Sequence, residues 1–150
     1  MFDNLISKVL TFCVLATTAA FVACQNPEDN VVPWVKVNVR INTLDAKYID
    51  LQSPTGRIVI KNEGYGGNGI IVYRPTDEDF FNAFDCTCTY EVSDTCAVVL
   101  DEGNIAGAVC PICGSKFELV NCGMPTSGKA RHSLKSYRVS YNEPILRIFN

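Results

Sequence analysis

Two thiols three residues apart, in Cys110-Pro111-Ile112-Cys113-Gly114, constrain this chain more than any other stretch. Proline fixes the backbone as it leaves the first sulfur, and glycine lets the chain turn under the second, so both thiolates and nearby amides can face one cation. Such a turn is half of a metal site. The fold must therefore bring other donors to meet it, or the two thiols end as a disulfide or an unreactive pair. The disulfide reading competes because the chain begins like an exported protein and exported thiols commonly pair.

That beginning has the layout of an export signal. Lys8 is the only basic residue ahead of the apolar run Val9 to Ala23, which ends in small residues and Cys24. The run is too short and too threonine-rich to read as a membrane-spanning helix, which needs about 20 apolar residues. Phe21-Val22-Ala23-Cys24 resembles a bacterial lipoprotein processing box, in which the chain is cut before a cysteine that then carries lipid. Ala23 and Cys24 stand as that pattern expects; Phe21 and Val22 replace the more usual leucine and smaller residue. The expected division is a lipoprotein signal peptide over 1–23, a flexible tether over 24–32 with the polar run Gln25-Asn26-Pro27-Glu28-Asp29-Asn30, and a folded domain over 33–150. The resemblance implies a cell-envelope protein lipid-anchored at Cys24 to the outer membrane, on its periplasmic or surface face. The acidic tether also resembles surface-export signals of some Gram-negative lipoproteins.

The folded part reads as β throughout. Trp34-Val35-Lys36-Val37-Asn38-Val39-Arg40-Ile41 alternates apolar and polar residues, as a strand with one wet face does. Tyr48 to Leu51, Arg57 to Lys61, Ile70 to Pro75, Phe80 to Asp85, Ala97 to Leu100, Ile105 to Val109, Phe117 to Val120, Tyr137 to Tyr141 and Ile145 to Phe149 are further short strands, punctuated by turn residues. Asn121 to Pro125 reads as loop, and no stretch has a helical period. Gly64-Tyr65-Gly66-Gly67-Asn68-Gly69 is a hairpin loop and not a phosphate cradle, because it lacks the Lys-Ser or Lys-Thr ending and no helix pattern follows. The fold class is all-β, an antiparallel sandwich or small barrel. With 13 basic against 16 acidic residues and a net charge of −3, the composition gives no basic excess and excludes nucleic acid as an expected partner.

Six cysteines remain besides Cys24 and the signal: Cys86, Cys88, Cys96, Cys110, Cys113 and Cys122. Four of them converging would suit zinc or iron; paired in disulfides they would hold no cofactor. From Ile70 onward the chain resembles a Rieske domain: a strand ending Ala83-Phe84-Asp85, a first ligand loop, a hairpin, and a second loop of the form Cys-x-x-ligand-Gly-Ser-x-Phe, met by Cys110 to Phe117. Met124-Pro125-Thr126-Ser127-Gly128-Lys129-Ala130, Leu134 and Tyr137-Arg138-Val139 resemble the family's proline loop and final strands. The likeness extends to Rieske-like lipoproteins of Bacteroides-type bacteria. It implies a Rieske-like β domain with two metal-ligand loops, a metal lobe over about 84–125, an iron-sulfur cluster, one-electron transfer and a protein redox partner.

The ligands depart from that pattern. A Rieske cluster takes two cysteines and two histidines, and this chain has one histidine, His132, outside either loop. The two-histidine cluster is excluded by counting, and so is a Rieske oxygenase with its further iron site. The resemblance carries Cys110 to the family's cysteine, places Cys113 at its histidine, and carries Cys88 of Cys88-Thr89-Tyr90 with tyrosine at the other histidine. A fourth donor then comes from Cys96, which begins the strand leading to the second loop, or from Cys86, since i and i+2 share a face. The expected metal ligands are Cys88, Cys96, Cys110 and Cys113, holding an iron-sulfur cluster or a zinc ion; Cys86 and Cys122 would be left to pair. No catalytic constellation accompanies them: Ser115 and Ser133 have only His132 for a base, and a thioredoxin-like use of Cys110 and Cys113 expects a helix that the pattern lacks. The chain reads more readily as a carrier than as an enzyme, the alternative being a surface lipoprotein interaction module stabilised by structural zinc or disulfides. Lys129, Arg131, Lys135 and Arg138 read as a solvated basic stretch whose loop packs over the metal lobe.

Overall fold

Ile70-Ile71-Val72-Tyr73 is apolar at every position, and a strand of that kind needs cover on both faces. In the computed structural model, which describes residues 31–76 and 78–150, this strand is the wall between two cores. The export signal, most of the tether and Cys24 lie outside the described residues. The strands in chain order are β1 Asn38–Asn42, β2 Arg57–Ile60, β3 Ile70–Tyr73, β4 Asn82–Asp85, β5 Val99–Leu100, β6 Gly107–Val109, β7 Lys116–Glu118, β8 Met124–Ser127, β9 Ser136–Asn142 and β10 Ile145–Phe149. A six-stranded sheet runs β1-β10-β9-β4-β3-β2 and a four-stranded sheet runs β5-β6-β7-β8. Every named pair is antiparallel. The architecture is all-β, two antiparallel sheets carrying two cysteine-bearing loops.

Alternation along the wall decides which core each residue enters. Ile70 and Val72 face Ile58, Leu51, Leu146 and Ile148 inside the large sheet, whereas Ile71 and Tyr73 face Phe117, Leu119 and Leu134 on the small-sheet side. Ala83 and Phe84 of β4 divide the same way. Each fully buried side chain of this size contributes on the order of 1.5–3 kcal/mol. Cys86, Cys88, Cys96 and Cys110 belong to the second core as buried residues, so the thiols are part of the packing between the sheets.

Four expectations are corrected. Tyr48 to Leu51 forms no strand: Ala46–Gln52 is a 3-10 helix that buries Leu51, a single anchor being insufficient to fix an extended register. Trp34 to Val37 is extended but unpaired, and β1 begins only at Asn38, where β10 supplies a partner. Residues 124–127, read as loop up to Pro125, form β8 at the edge of the small sheet, where a proline without an N–H is tolerated. Lys135 is likewise not solvated. It is buried, and its ammonium donates to the carbonyls of Val32 (3.3 Å) and Pro33 (2.6 Å).

Candidate metal centre

The first cysteine loop leaves β4 as a short antiparallel ladder closed by local chemistry. Val98 N–H donates to Cys86 O at 2.6 Å and Cys88 N–H to Cys96 O at 2.9 Å, with Thr87 bridged to Ala97 between them. Cys88 and Cys96 are therefore directly opposed across the ladder. Residues 89–95 make the connecting loop, and Asn68 Nδ2 braces it by donating to Thr87 Oγ1 (2.9 Å) and Ser93 O (2.8 Å). The glycine-rich stretch thus serves as a buttress. A Cβ on Gly66, at φ +60°, would stand 2.6 Å from Asp94 Cβ in that loop, so glycine is required for the close approach.

The second loop is a tight turn between β6 and β7. Gly114 N–H donates to Cys110 O (2.9 Å) and Cys110 N–H to Ser115 O (2.8 Å), with Gly114 at φ +72°. Ser115 is buried and ties a third segment to the site: its Oγ accepts from Lys129 N–H (3.0 Å) and Ala130 N–H (2.9 Å) and lies 3.1 Å from Cys113 Sγ. The neutral Cys113 thiol donates to Ser115 Oγ, and once Cys113 ionises the hydroxyl stabilises its thiolate. Thr89 Oγ1 donates to His132 O at 2.6 Å, so the 128–134 segment is stitched to both cysteine loops. The expected packing of that segment over the metal lobe is present; Lys135 at its end is buried, as described above.

Three sulfurs meet under these loops, and Cys96 stands beside them outside that group. Cys88 and Cys113 are 3.6 Å apart, Cys96 and Cys110 are 3.6 Å apart, and the sulfurs of Cys88, Cys110 and Cys113 all lie within 4.8 Å of one another. Tyr90 is half-exposed at the surface, with Lys129 Nζ 5.3 Å from its ring centre. Cys86 stays outside the group. It points to the same face as Cys88 but one strand repeat away, about 6.6 Å along the chain, with its sulfur against Gly69 and the Ile71 amide. Cys86 is a free buried thiol, so the Cys86–Cys122 pairing suggested by arithmetic is not formed. Cys86 is committed to the packing beside Gly69.

The thiols differ in how readily they ionise without a cation. Burial pushes Cys88 up to about 12 despite amide hydrogen bonds from Tyr90 and Glu91, pushes Cys96 up to about 11, and pushes Cys86 up to about 12. Cys113 goes the other way. Burial acts upward there too, but the Ser115 hydroxyl and amide, with Cys110 and Cys88, outweigh it and bring the group down to about 7. Cys113 is also the one member of the four at which burial is incomplete, beside Ile112, which is 61% exposed. In metal-free protein, iodoacetamide should modify Cys113 first, with a rate that rises through pH 7, while Cys86, Cys88 and Cys96 stay unmodified until the fold is lost. Peptide mapping that finds Cys88 or Cys96 modified as fast as Cys113 would contradict this ordering.

Converging thiols of this kind fit a soft or borderline cation. For a metal–sulfur bond of about 2.3 Å, a tetrahedral site has sulfurs about 3.8 Å apart, close to the two observed separations.

No protein family and no curated protein matches the chain. Among solved structures it is similar to the ferredoxin of carbazole 1,9a-dioxygenase in complex with its oxygenase (21% identity, 75% of this chain and 92% of that one, TM-score 0.48). It is also similar to the carbazole 1,9a-dioxygenase ferredoxin of Nocardioides aromaticivorans IC177 (19%, 75% and 96%, TM-score 0.47). A protein described as the small subunit of an NADPH nitrite reductase is similar at 16% identity, covering 78% of this chain and 100% of that one, with TM-score 0.42. At TM-scores under 0.5 these likenesses leave the donor set and activity to be argued from this chain's own geometry.

Proposed function

We propose that the chain is a cell-envelope lipoprotein, anchored through Cys24, whose Rieske-like domain holds a metal centre, an iron-sulfur cluster or a zinc ion, on Cys88, Cys96, Cys110 and Cys113. The observation that carries this reading is the convergence of the Cys88, Cys110 and Cys113 sulfurs within 4.8 Å of one another, with Cys96 3.6 Å from Cys110. The donor set leaves no position for a substrate, so the site is not a hydrolytic centre. Iron in these thiolates supplies a one-electron couple tuned by burial and by hydrogen bonds to sulfur. On this chain Ser115 sets the hydrogen bond to Cys113, the Tyr90 and Glu91 amides set those to Cys88, and the partly exposed Cys113 beside Ile112 is the face open to a protein redox partner. A second reading, a zinc-stabilised interaction module, draws on the thiols being built into a hydrophobic core.

Metal analysis of anaerobically purified protein separates these readings. The expected result for the electron carrier is coloured, redox-active protein with iron and acid-labile sulfide. Colourless protein with one zinc would leave only the interaction module, and metal-free protein with blocked thiols would refute both. A diacylglycerol-sized mass on Cys24, and release of Cys24→Ser protein from membranes, check the anchor.

A further inference from the structure

The outward face of β1, β10 and β9 is basic, although the chain as a whole carries −3. Exposure alternates along the N-terminal segment, so Trp34, Lys36, Asn38 and Arg40 face out while Val37 and Ile41 are buried. Register places Arg40 against Arg147 and Asn38 against Phe149, and Phe149 against Arg138 on the next strand. Arg147 donates to Asn38 Oδ1 at 2.9 Å and lies over the Phe149 ring at 4.9 Å, which confirms that these side chains share one face. Lys36, Arg40, Arg147 and Arg138 thus form a field of four cations with no acidic side chain among the outward positions of these strands. Glu143 lies in the far β9–β10 turn. Asp79, beside Arg138 in the cleft where β4 and β9 part, is paired with Arg74 at 3.7 Å.

Trp34 stands at the edge of this field and is held there. The buried Lys135 ammonium fixes the Pro33 carbonyl on one side of it, and Asn150 Nδ2 fixes the Val35 carbonyl on the other. Between these two clamps the only tryptophan of the chain is 69% exposed, with Val31 exposed as well. Tryptophan and long cationic side chains suit the water–lipid boundary, where one part of each is apolar and the other polar. Val31 also lies seven residues after Cys24, a contour of at most about 25 Å. We propose that this face docks flat on an anionic lipid bilayer, with Trp34 at the headgroup level and the four cations over lipid phosphates. The tether argument rests on the anchor reading; the charge pattern and the clamped tryptophan do not.

Trp34 emission tests the proposal without a label. Mature protein, with the mass at Cys24 recorded, is mixed with vesicles of phosphatidylglycerol and phosphatidylcholine or of phosphatidylcholine alone. The expected result is a blue shift and quenching by headgroup-region spin-labelled lipid only with phosphatidylglycerol, reversed by about 0.5 M salt. Lys36→Ala and Arg40→Ala should each lower the engaged fraction about five-fold, and Arg40→Glu with Arg138→Glu should abolish the signal at unchanged metal content. Equal emission with both vesicle types, insensitivity to the charge reversal, or a preference for an RNA oligonucleotide over the anionic vesicles would overturn it. An unmodified Cys24 with the phosphatidylglycerol response intact would refute the anchor and leave the docking face standing.

Discussion

Cys96→Ser should empty the centre, taking bound metal to near zero, while Cys86→Ser should leave it filled. The difference comes from the ladder. Cys96 is opposed to Cys88 by the Cys88 N–H to Cys96 O bond and lies 3.6 Å from Cys110, so a hydroxyl there removes one of four thiolates from a closed set. Structural zinc sites contribute on the order of 10 kcal/mol or more to folding, so the Cys96 variant should also lose most of the metal-dependent rise in unfolding temperature. Cys86 is equally buried, but its sulfur faces Gly69 and the Ile71 amide. Serine there costs about 1–3 kcal/mol for a buried hydroxyl without its best partners, with metal content unchanged. Metal stoichiometry and thermal unfolding with and without chelator read both effects, and loss of metal from the Cys86 variant alone would reverse the ligand assignment.

Asp85→Ala should be the most damaging change outside the thiols. The carboxylate is fully buried at the end of β4 and accepts from Tyr137 OH (2.5 Å), Tyr65 N–H (2.8 Å) and Thr87 N–H (2.8 Å). Those three donors belong to the closing hairpin, the glycine-rich buttress and the first cysteine loop. Its charge also supports the buried Lys135, whose pKa burial lowers and Asp85 raises. Alanine would strand all of these groups at once, at a cost of about 3–5 kcal/mol, or roughly 10–20 °C in Tm. Asp85→Asn keeps the shape but turns one acceptor into a donor, so it should recover only part of the loss. A change under about 1 kcal/mol for alanine in chemical denaturation would show that the network is not structural.

Patterns that a single face imposes were readable in the sequence. Ile145 to Phe149, read as the last strand of a closing hairpin, forms β10 with those bounds, and the four apolar residues 70–73 form the doubly covered β3. The knuckle at Cys110 and Cys113 was legible because proline and glycine fix its turn locally. What failed depended on contacts distant in sequence. Lys135 read as solvated because nothing nearby announces that the carbonyls of Val32 and Pro33, a hundred residues earlier, will fill its hydrogen bonds. Pro125 hid β8, since its strand character comes from pairing with β7 across a register shift between Lys116 and Phe117. The choice between Cys86 and Cys96 was left open by period-two reasoning, which gives the face of a strand but not the height along it.

The wall formed by β3 and β4 has a further consequence. Because alternate residues of these two strands serve different cores, withdrawing a metal held by the cysteine loops should loosen their side while the opposite side keeps its own apolar contacts. In amide exchange after chelation, the deprotected region should stop at that wall: β5 to β8 exchange early, and β1, β9 and β10 hold their protection.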